Sequence, residues 1–181
     1  MTDREVTDGC IAITIGGFSH ADRVADDKEH GLALLRIYGA GDLKPLDLSP
    51  GQAKPNPNTN VELTGILDPQ SQGGGSAVSS VKAQAAQIGG GGDLALSPPP
   101  AAGFSGAPAR DGDGHFVGLA LLKPAVIAGP ATAAPAAQAV LVQGDVVGEF
   151  LKANGITAMS GSQDAKTDAK ASVVRVICVR K

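Results

Sequence analysis

The stretch best suited to chemistry is Gly103-Phe104-Ser105-Gly106-Ala107-Pro108. A serine in a glycine-rich turn can present its hydroxyl with little steric cover, because glycine lets the backbone bend sharply. Ser105 is therefore a candidate nucleophile. The backbone amides of Gly103 and Ser105 are candidate donors to the oxyanion formed when a carbonyl is attacked. The plainer alternative is a loop serine, since Gly-Ser-Gly runs are common and most do no chemistry. A serine hydroxyl needs a base to attack at neutral pH. The chain has three histidines: His20 close to Asp22, His30 after Glu29, and His115 after an Asp/Gly turn. His20 and His30 read as solvated turn residues, His115 as a surface residue, and Asp26 and Asp27 as a polar turn. Asp111 and Asp113 suggest a calcium loop, but the remaining ligands of such a loop are missing. No metal and no cofactor is expected.

The elements that must position Ser105 read mainly as strands. Cys10–Ile15 is rich in β-branched residues and ends at Gly16-Gly17, so Phe18–Ala25 is its return strand. Leu32–Tyr38 is a short apolar run bounded by glycine. Val61–Leu67 alternates at strand period. Val78–Ala86 reads as a strand, although its Ala and Gln would also suit a helix. Leu94–Leu96 is a further short strand, and Pro98-Pro99-Pro100 leads to the serine turn in extended form. Asp111-Gly112-Asp113-Gly114 is a turn before the strand Phe116–Leu122. Ala139–Val142 is a strand, and Asp145–Asn154 a short helix with Asp145 as N-cap and Gly155 as its stop. Loops are expected over Pro50–Asn60, Gln72–Gly75, Gly89–Gly92, Ala128–Gln138 and Ser160–Lys170. Ser172–Val179 is strongly β-prone. Left exposed it would invite aggregation, so it is expected to dock, beside Cys10–Ile15.

Composition sets bounds on partners. The chain has 181 residues, 25 glycines, 12 prolines, no tryptophan and a net charge of −3. Bulky core formers are few, which predicts long loops and modest stability. There is no basic run to bind nucleic acid and no apolar stretch long enough to span a membrane. The start is polar and carries no signal peptide. The expected location is periplasmic or secreted if a signal-bearing segment precedes Met1, and cytoplasmic otherwise. Cys10 and Cys178 lie near opposite ends. They form either a disulfide or two separate thiols, and separate thiols are the favoured reading.

Two segments carry a family resemblance. Gly103–Pro108, Asp113-Gly114 and Phe116-Val117-Gly118-Leu119 resemble the nucleophile region of trypsin-like serine peptidases, closest to the bacterial HtrA-like branch. Asp27–Ile37, followed by Leu43–Leu48, is similar to the stretch around that family's catalytic aspartate. The resemblance implies a double β-barrel. Residues 1–50 would be the remnant of an incomplete first barrel, 51–60 the linker, and 61–156 the second barrel with the nucleophile loop and a short end helix. Residues 157–181 would form a polar tail and the C-terminal strand. The resemblance puts Ser105 at the nucleophile position and Gly103 at an oxyanion-hole amide. Gly31, which has no side chain, falls on the aspartate position. The family's histidine precedes a Val-rich turn that Val6–Cys10 resembles, and Met1–Cys10 contains no histidine. Phe104 replaces a small or polar residue and is expected to crowd the oxyanion site. The implied function is a peptidase homologue without turnover that binds a peptide or protein by strand addition. The alternatives are an active serine endopeptidase using Ser105 and an unrelated Gly/Pro-rich β interaction module.

Overall fold

The computed structural model describes residues 1–48, 58–68, 77–87, 94–123, 138–157 and 169–181. The loops expected at Gln72–Gly75 and Gly89–Gly92, and most of those at Pro50–Asn60, Ala128–Gln138 and Ser160–Lys170, lie outside these residues.

The protein is mainly β, with a closed barrel and an open sheet. Strands β1 (Thr2–Asp3), β2 (Ala12–Ile15), β3 (His20–Asp27) and β4 (Leu32–Ile37) belong to the open sheet, as does the last strand. A one-turn helix, α1 (Arg4–Thr7), separates β1 from β2. The barrel contains β5 (Thr59–Ile66), β6 (Val78–Gln87), β7 (Leu94–Ser97), β8 (Ala107–Arg110), β9 (Phe116–Lys123) and β10 (Gln138–Gln143). Helix α2 (Gly144–Ala153) follows, and β11 (Val176–Val179) ends the chain. The order in the open sheet is β1-β4-β3-β2-β11, and the closed barrel runs β10-β7-β6-β5-β8-β9.

The barrel core is built from strands that alternate. In β5, Val61 and Leu63 point inward with Ala83 and Ala85 of the paired β6. β9 differs: Phe116 to Leu121 are all buried. It is a wall between two cores, which is why its sequence is continuously apolar. Val117 and Ala120 face the barrel interior, while Phe116, Leu119 and Leu121 meet Leu32 and Leu34 of β4 and Val147, Phe150 and Leu151 of α2. This second cluster joins the two lobes. A third, smaller cluster (Ile13, Ile15 and Ala21, with Leu35, Ile37, Val174 and Val176) belongs to the open sheet and the segment leading into β11.

β11 pairs antiparallel with β2, Val179 opposite Ala12 and Val176 opposite Ile15, so the C-terminal strand docks where its composition required. The cysteines are corrected: Cys10 and Cys178 form a disulfide, with Cα atoms 5.3 Å apart. Strand pairing brings the two ends together, which spacing in the sequence cannot convey. Three local readings also shift. Thr59 and Asn60, expected in a loop, already pair in β5. Asp145 sits in the first turn of α2, with Gln143 at the N-cap. Residues 169–172 form a 3-10 turn with Ala169 buried, so the final strand begins only at Val176.

Candidate functional site

Ser105 follows a 3-10 turn over Ala102–Phe104 and precedes β8. Its position is set from both sides. Phe104 is fully buried in the barrel core. A Cβ built on Gly65 would come within 2.6 Å of the Phe104 ring. This corrects the expectation that Phe104 crowds the oxyanion site: the ring points inward and anchors the turn. Gly106 has φ +84°, and a Cβ there would lie 2.6 Å from the Thr2 hydroxyl and 2.9 Å from the Asp3 amide. Only glycine allows β1 to pass so close. The Gly106 amide donates to Ala120 O at 2.7 Å, fixing the turn to β9.

The Ser105 hydroxyl donates to the carboxylate of Asp3 and accepts a hydrogen bond from the Leu122 amide at 3.2 Å. Asp3 is 2% exposed. Its other oxygen accepts from the Glu5 amide at 2.9 Å and caps α1. The pair therefore joins the first turn of the chain to the barrel. The Ser105 amide donates to Ala102 O at 3.2 Å within the 3-10 turn. Gly103 lies inside that turn and lines the same cleft as Ser105. Gly31 has φ +72°, and a Cβ there would meet Leu121 Cδ1 at 3.0 Å and Lys123 Nζ at 3.4 Å. Its carbonyl accepts from the Arg4 amide at 2.8 Å. A side chain at position 31 would thus point at residues of β9 on either side of Leu122, which bonds Ser105.

The three histidines are engaged elsewhere. His20 shares a 3.1 Å hydrogen bond with the Ser19 hydroxyl, and its ring stacks on Tyr38 with centroids 4.6 Å apart. His30 Nδ1 lies 2.7 Å from Asp27 Oδ2, and the Glu29 and His30 amides donate to Asp27 Oδ1. Burial pushes the Asp27 carboxyl up, but the hydrogen bonds from His30 and Glu29 outweigh it and hold the group below its ordinary value. This Asp–His pair borders a shallow cleft with Val146 and Glu149 of α2 rather than the cleft of Ser105. Asp26 is held low by its hydrogen bond from Arg4, which pins α1 to β3.

His115 Nδ1 stands 3.5 Å from Asp111 Oδ2. Potential ligand atoms of Asp111, Asp113 and His115 all lie within 4.8 Å of one another. Asp111 Oδ1 already accepts from the amides of Asp113 and His115, as expected of a closed turn.

A cleft of about 1010 Å³ runs between the lobes. Ser105 and Gly103 line it, together with apolar residues of β4, β11 and the segment Leu43–Leu48 among others. The residue missed by reading the sequence is Asp3. Its N-cap role is a local signal before a helical turn, but its contact with Ser105 spans 102 positions.

A closed six-stranded barrel, an open partner sheet and a following helix, with the serine turn between them, define the double-barrel fold of trypsin-like serine proteases. A serine-to-alanine mutant of Rv3671c from M. tuberculosis H37Rv, in its inactive form, superposes with a TM-score of 0.57 at 18% identity, covering 88% of this chain and 78% of that one. The inactive form of Rv3671c protease gives 0.55 at 19%, covering 83% and 77%. The active form of the M. tuberculosis protease gives 0.50 at 20%, covering 80% and 62%. At these identities the likeness is one of fold. No protein-family model and no curated protein matches the chain.

Proposed function

We propose that this chain is a trypsin-fold protease homologue, nearest in its motifs to the HtrA-like branch, that does not hydrolyse peptides and binds extended polypeptide instead. The observation that carries the reading is the environment of Ser105. Its hydroxyl proton goes to the Asp3 carboxylate rather than to an imidazole, and its oxygen is held by the Leu122 amide. The serine nucleophile of a triad gives its proton to an imidazole acting as general base, and the imidazoles of His20, His30 and His115 are engaged elsewhere. The Ser105 amide, needed for an oxyanion, is spent on Ala102 O. Gly31, which the motif aligns with the family's aspartate, has no side chain to orient a base. Ser105 in this reading is a strut between β1 and β9.

The test is labelling by a fluorophosphonate probe, with Ser105→Ala as control and circular dichroism to show that both proteins are folded. No labelling is expected from the folded wild-type chain. Labelling that vanishes in Ser105→Ala would overturn the reading and establish Ser105 as an activated nucleophile of a serine endopeptidase.

A further inference from the structure

Among the described residues the open sheet has two stretches of unpaired edge, and both line the same cleft. β1 pairs with β4 only at Leu32 and Ala33. Among the described residues no strand pairs that edge beyond Ala33. The Arg4 amide donates to Gly31 O across this edge. Strand alternation then turns the backbone N–H and C=O groups of Leu35 and Ile37 to the same side. The Tyr38 amide donates to His20 O of β3, which agrees with that parity. On β11, the Gly16 amide donates to Arg175 O. The groups of Arg175 and Ile177 therefore face β2, and those of Val176 and Cys178 face away from it. Among the described residues β11 has no other partner. Leu35, Ile37, Val176 and Cys178 all line the cleft.

Further features describe what would sit there. The walls are apolar, through Ile15, Leu35, Ile37, Val174 and Val176. The charged side chains lining the cleft are Lys44, Arg175 and Arg180, all cationic in a chain of net charge −3. Arg180 is held by the carbonyl of Asp8. The Ser172 hydroxyl, also in the lining, is buried with no partner among the described residues. Unpaired backbone groups on two edges are satisfied by another backbone and not by a lipid or a small apolar molecule.

We propose that the cleft takes an extended polypeptide strand, apolar at alternate positions and acidic at one flank, which seats between β4 and β11, beyond β1 on the same β4 edge, and closes the open sheet. This rests on the peptide-binding half of the proposed function and gives it a location. Alternate residues of the guest pair with Leu35 and Ile37, and the intervening ones pair with Val176 and Cys178. Its acidic flank meets Lys44 and Arg175.

The probe is a fluorescent heptapeptide of alternating valine and threonine with two added aspartates at one end, titrated into the full chain by anisotropy. Two further probes are N-methylated at every odd or every even amide, which removes one edge's donors without altering the protein. Saturable binding of the parent is expected, with each methylated probe weaker by about tenfold or more, since one lost factor of ten equals about 1.4 kcal/mol. Arg175→Glu is expected to weaken the parent severalfold. Hydrogen exchange at Leu35, Ile37, Val176 and Cys178 is expected to slow on binding. Weakening by only one methylated series would mean addition to a single edge and would overturn the proposal. Protection confined to other strands would overturn this site and leave peptide binding standing. Absence of saturable binding would overturn both, while the non-hydrolysing half of the function is decided by labelling alone. A second copy of the chain as occupant would appear as a dimer that the probe fails to enter, and that also overturns the proposal.

Discussion

The barrel and the open sheet are held by different means. In the barrel every strand has two neighbours, and the core is a continuous set of buried residues from Val61 to Leu141. In the open sheet Leu32 and Leu34 are buried against β9 and α2, while the sheet's own cluster has three buried residues, Ile13, Ile15 and Ala21, with Leu35, Ile37, Val174 and Val176 only partly buried against them. What the sheet lacks in core it has in tethers. The disulfide holds β11 to the start of β2, Arg4 ties α1 to Asp26, and Asp3 reaches Ser105 across the lobe boundary. Closure gives a barrel stability from its own geometry, whereas an open sheet must take it from cross-links and from its neighbour.

The largest expected effect follows from the tether. The disulfide joins residues 168 positions apart. Closing a loop of that length in the unfolded chain corresponds to about 5 kcal/mol. Cys178→Ser, measured by urea unfolding, should lower stability by about that amount. Hydrogen exchange should then show β2 and β11 opening while β5 and β6 stay protected. Equal loss of protection in both regions would mean that the lobes unfold as one unit and would break the comparison.

Next comes the barrel itself. Phe104→Ala should cost about 3–5 kcal/mol, as truncation of a fully buried aromatic does. Gly65→Ala drives a methyl group into the same ring, so it should also destabilise, at the opposite face of the same contact. Leu35→Ala, in the half-buried cluster of the open sheet, should cost less than Phe104→Ala. If the order were reversed in urea titrations, the barrel would not be the better-packed half.

The way these halves appear in the sequence follows the same division. Barrel strands whose pattern is local were legible: β5 by alternation, β9 by its unbroken apolar run, β10 and α2 by a strand and an amphipathic turn with Gly155 as stop. The serine turn was legible because glycines mark it. β8 was hidden, since Ala107–Arg110 is short and contains a proline at Pro108. β1 was hidden for a similar reason: two residues, Thr2 and Asp3, become a strand only because β4 lies beside them. The disulfide and the Asp3–Ser105 bond depend on ends meeting through strand order, which no local pattern encodes. Phe104 was misread because its direction is set by Gly65, nearly forty positions away in sequence.

A smaller effect tests the contact between the regions. Ser105→Ala removes the donor to Asp3 and leaves a buried carboxylate with its cap bond alone. Loss of a hydrogen bond to a charged group costs about 1.5–3 kcal/mol. The cost should appear in the unfolding midpoint and in faster exchange of α1 and β1, with little change in the barrel strands. Asp3→Asn should be milder, because its amide oxygen can keep the bond from the Glu5 amide while its NH2 donates to the Ser105 oxygen. If Ser105→Ala were neutral, the strut would not couple the lobes.

The smallest expected effect is one of pH, and it belongs to the open sheet alone. Asp27 closes the β3–β4 turn by accepting from the Glu29 and His30 amides and from the His30 ring. Its carboxyl is held below its ordinary value of 3.8. A group depressed in the folded state binds protons more readily when unfolded. Its contribution is therefore complete above the ordinary value and is lost as pH falls through the lower, folded value. Asp27→Asn should lower stability slightly at neutral pH and flatten the acid limb, so that wild type and variant converge under strongly acid conditions. Urea midpoints followed from neutral pH into the acid range measure this, with exchange at β3 and β4 as the local readout. Parallel acid limbs would show that the turn carboxylate does not bind the open sheet together, leaving that role to the disulfide and to Arg4.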